Sequence, residues 1–146
     1  MEYIKLGFVF AAFGCFFEVF FTAVYDSIEH CIKKGRKTID VRFFGYWSIL
    51  YTLIYGVLLP VFWVNVVVPY IYDLHLGIRT FVYGVSFQVG EYISMYILHV
   101  IFGQSPSEAH YRGKFDSIHN FTRLTYFPAF CLAGLIFELI YEWYLI

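Results

Sequence analysis

The chain has 146 residues, 60% of them hydrophobic and 14% charged, with a formal net charge of −1 at pH 7. A soluble domain averages about 45–50% apolar and about 25% charged residues, so a soluble fold of this size would lack the polar surface to cover its core. The balance of charge removes the electrostatic case for a nucleic-acid partner, and the composition points to an all-α, multi-pass membrane protein that uses lipid as its apolar solvent.

The opening MEYIK carries one lysine and is followed by about twenty apolar residues. That run is too long for a signal-peptide core, lacks a small-residue cleavage pattern, and reads as a retained membrane anchor. The first span is placed at about 4–25; residues 6–24 alone make about 28 Å of helix, close to the hydrocarbon thickness. Residues 26–42 form a polar, basic connection with a turn at KKGRK, and 27–33 are expected to carry the first helix past the membrane. The second span, about 43–68, carries no charge and holds Pro60, which is expected to kink it. Residues 69–79 read as a short connection, about 80–102 as span three, 103–123 as the longest loop, and about 124–146 as span four. The expectation is one domain, 1–146, folded as a four-helix transmembrane bundle.

Eight of the ten basic residues fall in the connections after spans one and three: Lys33, Lys34, Arg36, Lys37, Arg42, Arg112, Lys114 and Arg123. The positive-inside tendency therefore places loops 26–42 and 103–123 in the cytoplasm and both termini on the opposite side. Asn120-Phe121-Thr122 matches the glycosylation acceptor pattern, and sugar on Asn120 would reverse that assignment. Aromatic residues make up 24% of the chain; Tyr70, Tyr72, Tyr126, Trp143 and Tyr144 read as interface anchors. Cys15, Cys31 and Cys131 form no CxxC pair, which argues against a disulfide framework or a zinc site. Cys15 and Cys131, in apolar stretches, read as small hydrophobes.

Acids within the spans need an explanation. Glu18, Glu91 and Glu138 would each cost roughly 3 kcal/mol if ionised and lipid-facing at mid-bilayer. They are therefore expected to face the protein interior, pair with donors or stay protonated. Glu91 counts near the middle of span three. Glu18 and Glu138 lie about three residues past the middle of their spans, and helical side chains lean toward the N-terminus, so the three carboxyls are expected at one depth. Gly14-Cys15-Phe16-Phe17-Glu18 and Gly134-Leu135-Ile136-Phe137-Glu138 share a Gly-x-x-x-Glu spacing, which sets a flat patch one turn from an acid. A partner helix approaching that patch would bring hydrogen bonds to the carboxyl. Thr22 and Arg79 complete the expected buried polar cluster, with Arg79 too far from Glu91 along one helix but within reach of a neighbouring helix. His110 and His119 read as solvated loop residues. No HExxH, P-loop or GxSxG motif and no nucleophile–base pair is present, so neither a catalytic residue, a metal site nor a cofactor is expected.

The chain resembles the transmembrane protein 229 family, which is grouped with bacterial membrane proteins labelled type IV ABC transporters. The resemblance lies in Gly14-Cys15-Phe16-Phe17-Glu18-Val19-Phe20-Phe21-Thr22, in Ile54-Tyr55-Gly56, in Arg79 with Glu91, and in Pro128 followed by Glu138. It covers nearly the whole chain. The family shows a Cys-Pro-Trp-Asp-Tyr stretch after span three, where this chain reads Gln104-Ser105-Pro106-Ser107-Glu108, so any role of that stretch does not carry over. The resemblance implies a multi-pass membrane protein of poorly defined activity; without a nucleotide-binding motif the chain is not itself an ABC ATPase.

The leading expectation is a non-enzymatic accessory or scaffold subunit whose partners are membrane lipids and other membrane protein subunits. The alternative is a proton- or cation-coupled transporter or channel subunit using the buried glutamates. A lipid-modifying enzyme with a carboxylate as acid or base ranks third, for want of a nucleophile.

Overall fold

The computed structural model describes residues 2–34 and 48–145. Arg36, Lys37, Arg42 and the start assigned to span two lie outside the described residues, as do the side chains of Cys31, Lys33 and Lys34. Among the described residues four helices are long and apolar enough to cross a membrane: Tyr3–Glu29, Ile49–Ile71, Leu76–Phe102 and Leu124–Leu145. The protein is an all-α, multi-pass membrane protein. It divides into two compact units, Met1–Pro60 and Val61–Ile146.

In the first unit, α1 (Glu2–Lys34) is one uninterrupted helix. At 1.5 Å per residue it is about 50 Å long, so it runs on beyond the hydrocarbon. It packs against α2 (Ile49–Leu53), which starts where the Ser48 side chain accepts the Leu50 N–H. The ladder then widens into a π-helical stretch, Ile54–Leu58, before the short α3 (Leu59–Phe62). Pro60 explains the widening, because its ring crowds the carbonyl four residues back and it donates no hydrogen bond. A second π-helical stretch, Trp63–Ile71, contains Pro69. Here the Asn65 amide donates to the Val61 carbonyl at 2.8 Å, and the wider winding carries the ladder past the N–H that Pro69 lacks. The helix therefore continues through Pro69 to Ile71, where the sequence reading had placed a connection.

The link to the next helix is consequently only residues 72–75. Helix α4 (Leu76–Phe102) begins one turn earlier than the reading at Thr80, because the His75 ring accepts the Gly77 N–H at 3.3 Å. It ends at Gly103, whose φ of 73° lets its N–H bond the His99 carbonyl at 2.8 Å. Helix α6 (Phe127–Leu145) runs antiparallel to α4. Trp63, Tyr83 and Phe137, all buried, form the aromatic centre of this second unit, with the Trp63 and Tyr83 rings stacked at 5.5 Å.

Residues 103–126 are not an open loop. They fold into α5 (Pro106–Tyr111), a hairpin of β1 (Ser117–Ile118) and β2 (Thr122–Arg123), and a 3-10 turn, Leu124–Tyr126. Pro106 at the first helical position and the Ser105 N–H bond to the Glu108 carboxylate, 2.5 Å, start α5. His119 and Asn120 adopt φ of 51° and 61°, which closes the hairpin. This cap packs along the last turns of α4, with Phe121 against Tyr92, Tyr96 and His99.

Candidate functional site

The two Gly-x-x-x-Glu segments meet the same partner in each unit. In the first, the Tyr55 ring sits where a Cβ on Gly14 would be, and the Tyr55 hydroxyl donates to the Glu18 carboxylate at 3.1 Å. In the second, the Tyr83 ring sits where a Cβ on Gly134 would be, and the Tyr83 hydroxyl donates to the Glu138 carboxylate at 2.6 Å. Each tyrosine is followed by glycine, Tyr55-Gly56 and Tyr83-Gly84, which lets the neighbouring helix come close: a Cβ on Gly56 would lie 3.2 Å from Ala11 Cβ. The helix order is reversed. The glutamate helix comes first in unit one and last in unit two. A glycine one turn before the acid is what admits the ring, and the phenol length then carries its hydroxyl to the carboxylate.

The two acids differ in charge environment. Arg79 approaches Glu138 at 2.9 Å through one guanidinium nitrogen and donates to the Tyr72 carbonyl at 2.7 Å through another. Glu138 is thus paired, and the Tyr72 hydroxyl bonds Glu142 at 3.1 Å just beyond it. Burial and the Glu142 carboxylate push the Tyr72 phenol above its usual range. Among the described residues, the Tyr55 hydroxyl is the donor that reaches the Glu18 carboxylate. Thr22 does not complete that site: its hydroxyl donates to the Glu18 backbone carbonyl at 2.7 Å.

Glu91 belongs to a third arrangement. It accepts from the Tyr111 hydroxyl of α5 at 2.9 Å and from Thr122 of β2, and Thr122 in turn receives the Gln88 amide. Thr122 lies two residues before the apolar span that starts at Leu124. Glu91 thus meets the segment that leads into Leu124–Leu145, and it lies near the middle of its own helix, Leu76–Phe102. It is eight residues, about 12 Å, along α4 from Tyr83, the partner of Glu138. The structure brings Arg79 and Glu138 together, sets Glu91 against the cap, and holds Glu18 in the other unit.

Residues not singled out from the sequence hold the cap. The buried Arg123 guanidinium grips Asp116 with contacts of 2.9–3.1 Å, and the Thr125 hydroxyl and backbone N–H bond the same carboxylate. Burial alone would raise the Asp116 carboxyl, but the Arg123 and Thr125 bonds and the guanidinium charge outweigh it and hold it at about 2. Arg123, counted above among the loop cations, is thus neutralised within the fold. At the far end of the cap, the Ser105 N–H, followed by His99 at 3.0 Å, lowers the Glu108 carboxyl. His119 bonds the Tyr92 hydroxyl at 2.8 Å. The acid seven residues before Arg123 was the signal available in the sequence. Among the described residues, no group of three or more His, Cys, Asp or Glu is placed to hold a metal ion. No family model, curated protein or solved structure matches the chain.

Proposed function

We propose that this chain is a non-catalytic membrane subunit that packs α4 against a helix of another membrane protein. The observation that carries this is an open small-residue face on α4. Ser86, Gly90 and Ser94 recur every fourth residue, Gly90 is exposed, and nothing lies within 4 Å of a Cβ built there. Exposed Val89, Ile93 and Ile97 flank it. In lipid, helices associate through close backbone packing at such faces, since the hydrophobic effect gives no drive. The acids support the same reading, because Glu138 and Glu91 are engaged by side chains of their own unit. Membership of the transmembrane protein 229 family is part of the proposal. The quoted Gly14, Glu18, Tyr55, Gly56, Arg79 and Glu138 are residues of the helix contacts. So is the orientation, with loops 26–42 and 103–123 cytoplasmic, supported by the exposed Arg112.

Gly90→Leu is the test. Leucine at a close helix contact costs on the order of 1–3 kcal/mol, about tenfold or more in association. On blue-native gels after gentle extraction, the wild-type chain is expected in a larger assembly and the variant as the released chain. Wild-type and variant running alike would overturn the proposal.

A second reading rests on Glu18, whose carboxylate accepts the Tyr55 hydroxyl and, among the described residues, meets no cation of the kind that Glu138 has. In it the chain is a proton- or cation-coupled transporter subunit. Glu18→Gln keeps size and hydrogen bonding but removes titration; proton or cation flux into liposomes is expected to fall at least tenfold. Unchanged flux removes this reading.

A further inference from the structure

We propose that Glu18 is the docking point for a transmembrane helix of another protein that carries an arginine or lysine near mid-bilayer. This rests on the reading of the chain as a subunit of a membrane assembly, and it names the chemistry of one partner.

The second unit supplies the template. There the Gly-x-x-x-Glu helix and the Tyr-Gly helix run antiparallel, so the residue one turn before Tyr83 stands opposite Glu138. That residue is Arg79, whose guanidinium lies 2.9 Å from the carboxylate. The first unit repeats the glycine, the glutamate and the tyrosine: Tyr55 fills the Gly14 patch and bonds Glu18 Oε2 at 3.1 Å. One turn before Tyr55, at the position that holds the cation in the second unit, is the uncharged Tyr51. Glu18 is half-buried, and no cation among the described residues reaches its carboxylate.

The chain's own spans supply no such cation. Within the four apolar spans the basic residues are Lys5, Arg79 and His99. Arg79 is held by Glu138, and His99 lies 3.0 Å from Glu108. Lys5 is about 20 Å from Glu18 along α1. Glu18 lies close to the centre of Tyr3–Glu29, so a matching cation belongs near mid-bilayer, on a helix of another chain. A carboxylate facing lipid at that depth is costly, and pairing across helices removes the cost. Exposed Phe16, Val19 and Phe20 flank Glu18 on α1, with the two phenylalanine rings stacked at 6.0 Å, and give the incoming helix an apolar bed.

Binding of a synthetic helix to the full chain in phosphatidylcholine vesicles tests this. The probe is a polyleucine transmembrane peptide with one central arginine and a dansyl group; its twin has leucine in place of the arginine. Energy transfer from the chain's tryptophans reads association. The arginine peptide is expected to bind the wild type about tenfold more tightly than its twin. Glu18→Gln keeps the size of the side chain and an acceptor for Tyr55, and should bring the two peptides to equal affinity. Equal affinity of the two peptides for the wild type would overturn the proposal, as for a carboxyl that keeps its proton and takes no cation. So would an arginine preference that survives Glu18→Gln. The peptides read Glu18 alone, so this test can fail while Gly90→Leu still releases the chain from its assembly, and can succeed where that release is not seen.

Discussion

Arg79→Leu is expected to destabilise the Val61–Ile146 unit by about 3–5 kcal/mol, the cost of leaving one partner of a buried ion pair uncompensated. Arg79 and Glu138 are 19% and 8% exposed, their charged atoms are 2.9 Å apart, and Tyr83 holds the other carboxylate oxygen. Leucine removes the cation and also frees the Tyr72 carbonyl at the start of the 72–75 link. The pair Arg79→Leu with Glu138→Leu should recover most of the loss, because an apolar replacement leaves no buried charge. Denaturation in mixed micelles, followed by fluorescence of the buried Trp63, reads both. A single variant as stable as the wild type would mean that Arg79 is hydrated and the pair is not a structural latch.

Asp116→Asn is expected to unfasten the cap, again at a cost of about 3–5 kcal/mol, since it leaves the Arg123 guanidinium buried without its counterion. Acid should do the same to the wild type. The Asp116 carboxyl lies at about 2 in the folded cap against an ordinary value of 3.8. A carboxylate whose value is depressed by folding contributes stability that is fully present above about 3.8 and is lost as pH falls through about 2. The shift corresponds to roughly 2–3 kcal/mol. Exchange protection of residues 103–126 should therefore decline between pH 4 and 2 in the wild type and be low and flat with pH in the asparagine variant. A cap equally protected in both proteins would show that the Arg123–Asp116 pair does not hold it.

Both devices show how far sequence reasoning reaches in a membrane chain. The spans were legible because about twenty apolar residues in a row have one physical solution in lipid. The Gly-x-x-x-Glu spacing was legible as a place for close helix contact. That a tyrosine fills it was not, because Tyr55 and Tyr83 come from other helices and nothing local marks their direction. Pro69 misled for a related reason: a proline reads as a stop, but π-helical winding absorbs it. That Glu91 meets the cap was not legible, because α5 is six residues and the hairpin two residues per strand, too short to show a period of their own.

The distribution of partners separates the internal acids. Glu138 has a cation, Glu91 has hydroxyls from the cap, and Glu18 has a tyrosine. On this account the first two build the protein, and α4 offers the surface by which it joins others. Native mass spectrometry of the chain ejected directly from membrane vesicles tests that most directly. The expected result is a species heavier than 17.3 kDa by at least one further polypeptide, reduced to the single chain by Gly90→Leu. Detection of the 17.3 kDa chain alone, with or without bound lipid, would contradict it.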